Sequence, residues 1–263
     1  MSPALAIAVH LNHCYVAPDR ATFDAAAQDP FLSSRFASFE QRTTRRTDHT
    51  YTGLYYYGDH TYFELLEPGR GFGSGSAIAF GVEEPGAIAR LGKPHPITRE
   101  AEGRQVAWFH TVSDGDAFAQ SDLSSWIMEY DPRFLAQWYP ALPPAERGIQ
   151  RKQLLDRYVA HTGRPRGLFQ DLTRVELVLA ASDLDAFAKQ CERFGYRLER
   201  DGLAIACTGP EVVLHLTPGH PPARLGIAKV TFRLRGAAPK REARRLGTST
   251  LELDGDTAVW RFN

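Results

Sequence analysis

The sequence is poor in cysteine and carries no excess charge of either sign. Its 263 residues include three widely spaced cysteines (Cys14, Cys191 and Cys207) and no Cys-x-x-Cys pair. This argues against a disulfide framework or a structural zinc site and favours the cytoplasm. The 31 lysines and arginines equal the 31 aspartates and glutamates. No net field therefore attracts nucleic acid or an anionic membrane.

Long apolar runs are also missing. The run from Ala4 to Val9 is too short to cross a bilayer, and it lacks the basic flank of a signal peptide. We therefore expect a cytoplasmic monomer or homodimer whose partner is a small molecule, with no nucleic-acid or membrane partner. A hydrophobic content of 43% is typical of a globular fold.

What the sequence does contain is a repeated order of elements, which decides architecture when present. The first pass has a strand over Leu5–Val16, a helix over Ala21–Ala27, a polar stretch over Gln41–Thr50, and hairpin strands over Thr52–Tyr57 and Thr61–Leu66. The second pass predicts Ala77–Val82, a short helix over Pro85–Leu91, Ile97–Ala101, Gln105–Thr111 and Ser125–Tyr130. The third predicts Val175–Ala180, a helix over Leu184–Phe194, Tyr196–Glu199, Leu203–Cys207 and Val212–Leu216. The fourth keeps Ile227–Leu234, Leu246–Leu253 and Thr257–Phe262 but little helix.

Two polar segments invite ligand-binding interpretations. The glycine-rich segment Pro68–Ser76 precedes a strand, whereas nucleotide-binding loops precede a helix, so we interpret it as a connector. Arg42, Arg45 and Arg46 fit a solvated loop better than an anion clamp.

The boundary between the halves is predicted in a proline-containing segment. It holds Pro140, Pro143, Pro144 and Pro165 and one amphipathic helix over Ala145–His161. The resulting division is residues 1–131, a linker over 132–170, and residues 171–263.

Several motifs resemble those of one known superfamily. They are Ser182-Asp183-Leu184-Asp185-Ala186-Phe187 with Phe194-Gly195-Tyr196, Leu11-Asn12-His13-Cys14-Tyr15, and Thr61-Tyr62-Phe63-Glu64-Leu65-Leu66. In their order and spacing they resemble the vicinal oxygen chelate superfamily (glyoxalase, bleomycin-resistance proteins, extradiol dioxygenases), and an uncharacterised two-domain bacterial branch of it. The resemblance implies an α+β fold of four β-α-β-β-β modules, paired into two glyoxalase-like domains, the fourth module lacking most of its helix.

The same resemblance implies a metal site in the N-terminal half. Metal-dependent members take one ligand from the first strand of a module and one from the last, which places His13, Glu64 and Glu129 in the ligand set. The interval from His13 to Glu64 is 51 residues, and that from Ala77 to Glu129 is 52. Ala77 departs from the pattern, since metal enzymes of the family often have His there. His and carboxylate ligands suit Fe, Mn, Ni or Zn, and no organic cofactor is expected.

Other residues are predicted around this site. Strand alternation puts Tyr15 on the face of His13 and Tyr62 on that of Glu64. Together with Tyr55 and His110 they are the candidate substrate-binding residues. In the second half the corresponding positions are Glu176, His215, Lys229 and either Arg261 or Trp260, a set that favours packing over catalysis.

Three functions remain open from the sequence. The first is a metal-dependent isomerase, lyase or dioxygenase acting on a small oxygen-rich substrate, with Glu64 and Glu129 as catalytic residues. The second is a metal-free protein that sequesters an antibiotic or natural product. The third is a metal-free enzyme of secondary metabolism in which a carboxylate, such as Glu64, acts as general base.

Overall fold

A computed structural model describes residues 7–46, 50–69, 75–101, 103–113, 118–137, 146–220, 224–236 and 241–263. Residues 70–74 of the glycine-rich segment and the linker prolines 140, 143 and 144 lie outside these ranges, as does the start of the predicted first strand. No helix within the described part of the chain is long and apolar enough to cross a membrane.

The first sheet takes all its strands from the N-terminal half. Their order across the sheet is β2-β3-β4-β1-β5-β8-β7-β6. The strands are β1 (His10–Val16), β2 (Ser38–Arg45), β3 (Thr50–Tyr57), β4 (Tyr62–Leu66), β5 (Ser76–Gly81), β6 (His95–Ala101), β7 (Arg104–Ser113) and β8 (Leu123–Tyr130). Helix α1 (Arg20–Gln28) follows β1, capped by the Asp19 carboxylate, which accepts from the Thr22 backbone amide at 2.9 Å. A π-helical turn (Leu32–Phe36) follows α1, and a 3₁₀ helix (Ala87–Arg90) follows β5.

The second sheet repeats this order, as β10-β11-β12-β9-β13-β16-β15-β14. Its strands are β9 (Phe169–Leu179), β10 (Arg197–Asp201), β11 (Ala204–Thr208), β12 (Val213–Pro218), β13 (Gly226–Leu234), β14 (Glu242–Leu246), β15 (Ser249–Asp254) and β16 (Thr257–Arg261). Helix α2 (Arg151–Thr162) precedes this sheet, and α3 (Ala181–Arg193) follows β9. The described residues between β13 and β14 contain no helix. The predicted α+β fold of four β-α-β-β-β modules, the fourth without most of its helix, is therefore confirmed.

The polar stretch after the first helix was wrongly predicted to be a loop. Residues Ser38–Arg45 form β2, paired antiparallel with β3 from Ser38 opposite Tyr57 to Arg45 opposite Thr50. Its inward residues Glu40, Arg42 and Thr44 are polar, as are its outward residues Gln41 and Thr43. No apolar alternation therefore marks this strand in the sequence.

The first sheet curls until its two edge strands meet. Arg46, directly after β2, forms an antiparallel bridge with Arg99 on β6. Eight strands brought together in this way approach a small barrel, whose interior suits side chains or one small ligand. The inner face of this sheet is called the lumen below.

The opposite face of the first sheet packs against the second sheet. Phe63 on β4 contacts Phe232 and Trp260 of the second sheet, with ring centroids 5.6 Å apart in both pairs. Phe80 on β5 contacts Phe194 at 4.9 Å and Tyr196 at 5.6 Å. The central strands β1, β4 and β5 are therefore buried on both faces, on one by the second sheet and on the other by the lumen contents.

The linker between the sheets is held by one buried arginine. The Arg151 guanidinium donates to the Leu11 carbonyl at 3.0 Å, to Glu83 at 2.9 Å, and to both carboxylate oxygens of Glu211 at 2.7 and 3.0 Å. Its partners come from β1, from the segment after β5 and from the loop before β12. Arg151 thus ties the start of α2 to both sheets.

We predict that Arg151→Met destabilises the protein by about 2 kcal/mol, because it leaves the Leu11 carbonyl and Glu83 without their charged donor. Urea unfolding followed by circular dichroism measures the change. Lys152→Met is the matched control, since Lys152 is exposed and pairs with Asp156 one turn on, and its effect should stay within about 0.5 kcal/mol. Equal effects of the two substitutions would contradict the role of Arg151 as the tie.

Candidate functional site

Strand alternation and register determine which side chains face the lumen. Glu64 on β4 lies opposite Tyr55 on β3 and Tyr15 on β1, and directly opposed residues share a face. On β5 the same face carries Ala77 and Ala79, opposite Tyr15 and His13. The two small alanines leave open space in front of His13.

His13 reaches the lumen at an irregularity of β1. The register of β1 against β5 shifts between Leu11 and His13, as in a β-bulge. Asn12, 3% exposed, places its Oδ1 2.9 Å from His13 Nδ1 and also accepts from the Tyr130 hydroxyl at 3.2 Å. Because this oxygen can only accept, Nδ1 of His13 carries the proton and Nε2 presents its lone pair.

That lone pair faces Glu64. His13 Nε2 lies 3.6 Å from Glu64 Oε1, and both residues are 5% exposed. Burial raises the pKa of Glu64 to about 8, although Arg42 and the Tyr62 hydroxyl partly offset it. Burial also lowers the pKa of His13 to about 3. Near neutral pH the pair is therefore a protonated carboxyl beside a neutral imidazole, because desolvation penalises both charges.

Aromatic side chains form the walls around this pair. The ring of Tyr62 stacks on His13 at 4.3 Å, and Trp126 contacts His13 edge-on at 5.5 Å. The pocket is lined by His13, Tyr15, Arg46, Tyr51, Tyr62, Glu64, Trp108, Phe109, Trp126 and Met128. Between these side chains lies about 20 Å³ of space for water-sized molecules, enough for about one water, and the larger open region of about 360 Å³ includes solvent at the mouth.

The structure brings His13, Glu64, Tyr15 and Tyr62 together, but not Glu129 or His110. Both Glu129 carboxylate oxygens accept backbone amides around the 3₁₀ helix, from Gly86 at 2.8 Å and Ile88 at 3.0 Å. His110 lies opposite Glu129 on β7 and shares its face. The lumen face of β8 carries Trp126 and Met128 instead. A difference of one residue in the aligned interval moves a strand side chain to the other face.

The donor set does not fit the metal site implied by the family resemblance. Glu129 is engaged elsewhere, Ala77 offers no donor atom, and His13 with Glu64 are two ligands where such sites use three or more. Nowhere in the described ranges do three His, Cys, Asp or Glu side chains gather closely enough to hold a metal ion.

Tyr55 is not among the residues that line this pocket, and the Arg42 guanidinium lies over its ring, 4.2 Å from the centroid. Tyr158 of α2 lies 5.2 Å from the same guanidinium and stacks on Tyr57 at 5.2 Å. Arg42 also donates to Glu40 at 2.9 Å. The expectation of a solvated arginine loop is wrong for Arg42 and Arg46, because β2 directs both inward, while Arg45 is exposed.

The corresponding face of the second sheet holds a row of charges. Lys229 Nζ lies 2.5 Å from Glu176 Oε1, and Arg174 Nε donates to the same oxygen at 3.0 Å. Partial burial opposes ionisation of Glu176, but these hydrogen bonds outweigh it and lower its pKa. His215 lies opposite Glu176, and Arg261 opposite Lys229. Trp260 is in the core, donating to Ser249 at 2.9 Å.

Several lining residues were missed by the sequence interpretation. Trp126 and Met128 are two residues apart on β8. Both are predicted to face the lumen if the even-numbered residues of this strand are assigned to that face. Arg42, Thr44 and Arg46 share the same spacing and are a strand signal in retrospect. Asn12 is beyond such reasoning, because a bulge cannot be located from alternation alone.

Comparisons with known proteins establish kinship and fold. A family model described as "Family of unknown function (DUF5829)" matches residues 11–262. No curated protein matches the sequence. The crystal structure of a hypothetical protein from Staphylococcus aureus is similar with a TM-score of 0.54 at 9% identity, over 92% of this chain and 97% of that chain. A xylose isomerase-like TIM barrel/4-hydroxyphenylpyruvate dioxygenase fusion protein gives a TM-score of 0.45 at 15% identity, over 86% of this chain and 36% of that chain. The likeness to the staphylococcal protein shows a shared fold.

We predict that the stability of the wild type relative to Glu64→Gln falls as the pH rises. A carboxyl whose pKa is raised on folding contributes stability that is complete below its ordinary pKa, here 4.5, and lost as the pH approaches about 8. The difference in free energy of unfolding should change by up to about 1.4 kcal/mol per pH unit in this window. His13 is present in both proteins, so its own titration largely cancels.

Urea unfolding at pH 5, 6, 7 and 8 measures this difference. Parallel stability curves for the two proteins across this range would show that Glu64 ionises at its ordinary pKa and that the pocket does not desolvate it.

Proposed function

The chain belongs to this DUF5829 family, and we propose that its N-terminal lumen is a metal-independent site for a small organic molecule. Glu64 acts there as proton donor and acceptor, and His13 is its partner. The observation that carries the proposal is the His13–Glu64 pair, 3.6 Å apart and buried at the base of an aromatic pocket.

The chemistry of the pair supports proton exchange with a bound molecule. A carboxyl that titrates near neutral pH can donate in its neutral form and accept in its ionised form. Each transfer moves one proton between Glu64 and the ligand and changes no oxidation state. The neutral imidazole offers an acceptor beside the carboxyl, and Asn12 holds that imidazole in one tautomer.

The relationship to the vicinal oxygen chelate superfamily is part of the proposal. Support comes from the four β-α-β-β-β modules and from the position of His13 and Glu64 on the first and last strands of the first module. Within that scaffold the metal-free alternatives are favoured, because Glu129 caps a 3₁₀ helix and Ala77 replaces a ligand. Binding alone and catalysis by Glu64 share this site, and both require an occupant in contact with the pair.

Binding of small organic fragments to untagged protein in excess EDTA tests the proposal. We expect ligand-observed NMR to detect binding that EDTA does not abolish. Ligands that accept a hydrogen bond should bind best below pH 8 and more weakly above it, as Glu64 ionises and ceases to donate. In Glu64→Gln this pH dependence should vanish, and affinity should fall about tenfold through loss of the stronger donor.

Glu129→Gln is the matched control, because Glu129 is a buried carboxylate on the opposite face of the same sheet. It should leave ligand affinity and its pH dependence unchanged. Elemental analysis completes the test. Stoichiometric metal in the wild type, lost in both His13→Ala and Glu129→Gln, would overturn the metal-independent assignment, and binding abolished by EDTA would do the same.

A further inference from the structure

A second cavity lies at the junction of the two halves, outside the lumen. It holds about 430 Å³ of space for water-sized molecules, against about 20 Å³ in the lumen pocket. A volume of this size is within the range of small-molecule sites. The cavity is lined by the turn between β3 and β4, by residues of β9 and β13, and by the loop before β12. We call it the junction cavity.

Asp171 of β9 fixes the position of His60, and both residues line the junction cavity. Asp171 Oδ1 accepts from the His60 and Thr61 backbone amides at 2.7 and 2.9 Å, and from the Thr61 hydroxyl at 3.0 Å. Asp171 Oδ2 lies 3.2 Å from His60 Nδ1. Because a carboxylate can only accept, Nδ1 carries the proton of the neutral imidazole, and Nε2 presents a lone pair.

This nitrogen is a hydrogen-bond acceptor that the protein does not use. Across the described ranges, no side chain or backbone group bonds to His60 Nε2. A hydroxyl group is the natural partner of such an acceptor, since it donates one hydrogen bond. The Thr61 hydroxyl beside it is engaged, because it donates to Asp171 and accepts from the Leu172 amide at 2.8 Å. The geometry therefore favours a hydroxyl that a ligand brings.

Arg233 of β13 adds a positive charge to the junction cavity. It lies opposite Asp171 in the pairing of β13 with β9. Its guanidinium nevertheless forms no ion pair or hydrogen bond with the part of the chain that the structure describes. The carboxylates in the lining are engaged, Asp171 by the turn and Glu211 by the Arg151 guanidinium at 2.7 and 3.0 Å. The charge left for a ligand to match is therefore that of Arg233, which favours an anion.

We propose that the junction cavity binds a small hydroxylated organic anion. Its oxyanion group lies on the Arg233 guanidinium, and one of its hydroxyls donates to His60 Nε2. Carboxylate and phosphate groups both match the planar fork of an arginine, so either serves as the oxyanion. Binding makes and breaks no covalent bond. This site is separate from the lumen and does not depend on the function proposed there.

Matched ligands test the class by isothermal titration calorimetry of the untagged wild type. Gluconate and glucose 6-phosphate carry hydroxyls with a carboxylate or a phosphate, hexanoate carries a carboxylate without hydroxyls, and glucose carries hydroxyls without a charge. We expect the tighter of the two hydroxylated anions to bind at least about tenfold more strongly than hexanoate and glucose, since each of these lacks one interaction. The tighter of the two identifies the oxyanion.

Substitutions locate the binding. Arg233→Gln should weaken the hydroxylated anions by at least about tenfold and leave glucose unchanged. His60→Phe keeps a ring and removes its nitrogens, so it should weaken the hydroxylated anions by roughly tenfold and hexanoate much less. The matched controls are Arg241→Gln and His95→Phe, which change exposed residues outside the cavity and should alter nothing.

The Arg233 variant keeps the test decisive if His60→Phe fails to fold, because Arg233 is exposed and its guanidinium has no partner to lose. Full affinity for the hydroxylated anions in Arg233→Gln would overturn the assignment. Hexanoate or glucose that binds as tightly as these anions would do the same, as would the absence of binding by both anions at millimolar concentration.

Discussion

Burial of the central strands of the first sheet on both faces is the constraint on which the rest of the structure depends. One face packs against the second sheet through residues such as Phe63 and Phe80, and the other encloses the lumen. Strands that are buried on both faces, such as β4 and β5, consist almost entirely of apolar residues. An ionisable residue in such a strand loses its hydration, which disfavours its charged form. Glu64 and His13 are ionisable residues buried in these central strands, and each shifts its pKa toward the neutral form.

Burial of Glu64 and His13 changes their ionisation. Desolvation pushes the carboxyl and the imidazole toward their neutral forms, so that the pair holds a proton without a net charge. Other buried or half-buried charges are compensated by ion pairs. Arg42 pairs with Glu40, and Arg151 of the linker pairs with Glu83 and Glu211. On the corresponding face of the second sheet, Glu176 is half-exposed and ionised, and it pairs with Lys229 and Arg174.

The same order of modules gives the two halves inner faces that differ in their exposure to water. In the first sheet, closure at Arg46 and Arg99 and the insertion of Tyr158 shield the inner face from water. In the second sheet the equivalent face stays partly solvated, and its charges pair with one another. A fold shared between proteins of 9% identity does not carry function with it, so the lumen has to be understood from its own side chains.

The sequence by itself determined the module order and the positions of most strands, because both depend on local periodicity within single segments. The family resemblance, rather than periodicity, pointed to His13 and Glu64 in one site. The sequence could not determine that β2 is a strand, because polar residues occupy both of its faces from Glu40 to Arg45 and leave no apolar alternation. Nor could it place Glu129, since one residue of register decides the face of a strand and only pairing between strands fixes register. The tertiary structure alone decided that the first sheet closes, that Arg46 and the indoles of Trp108 and Trp126 join one pocket, and that burial keeps Glu64 protonated. All three depend on contacts between segments far apart in the chain.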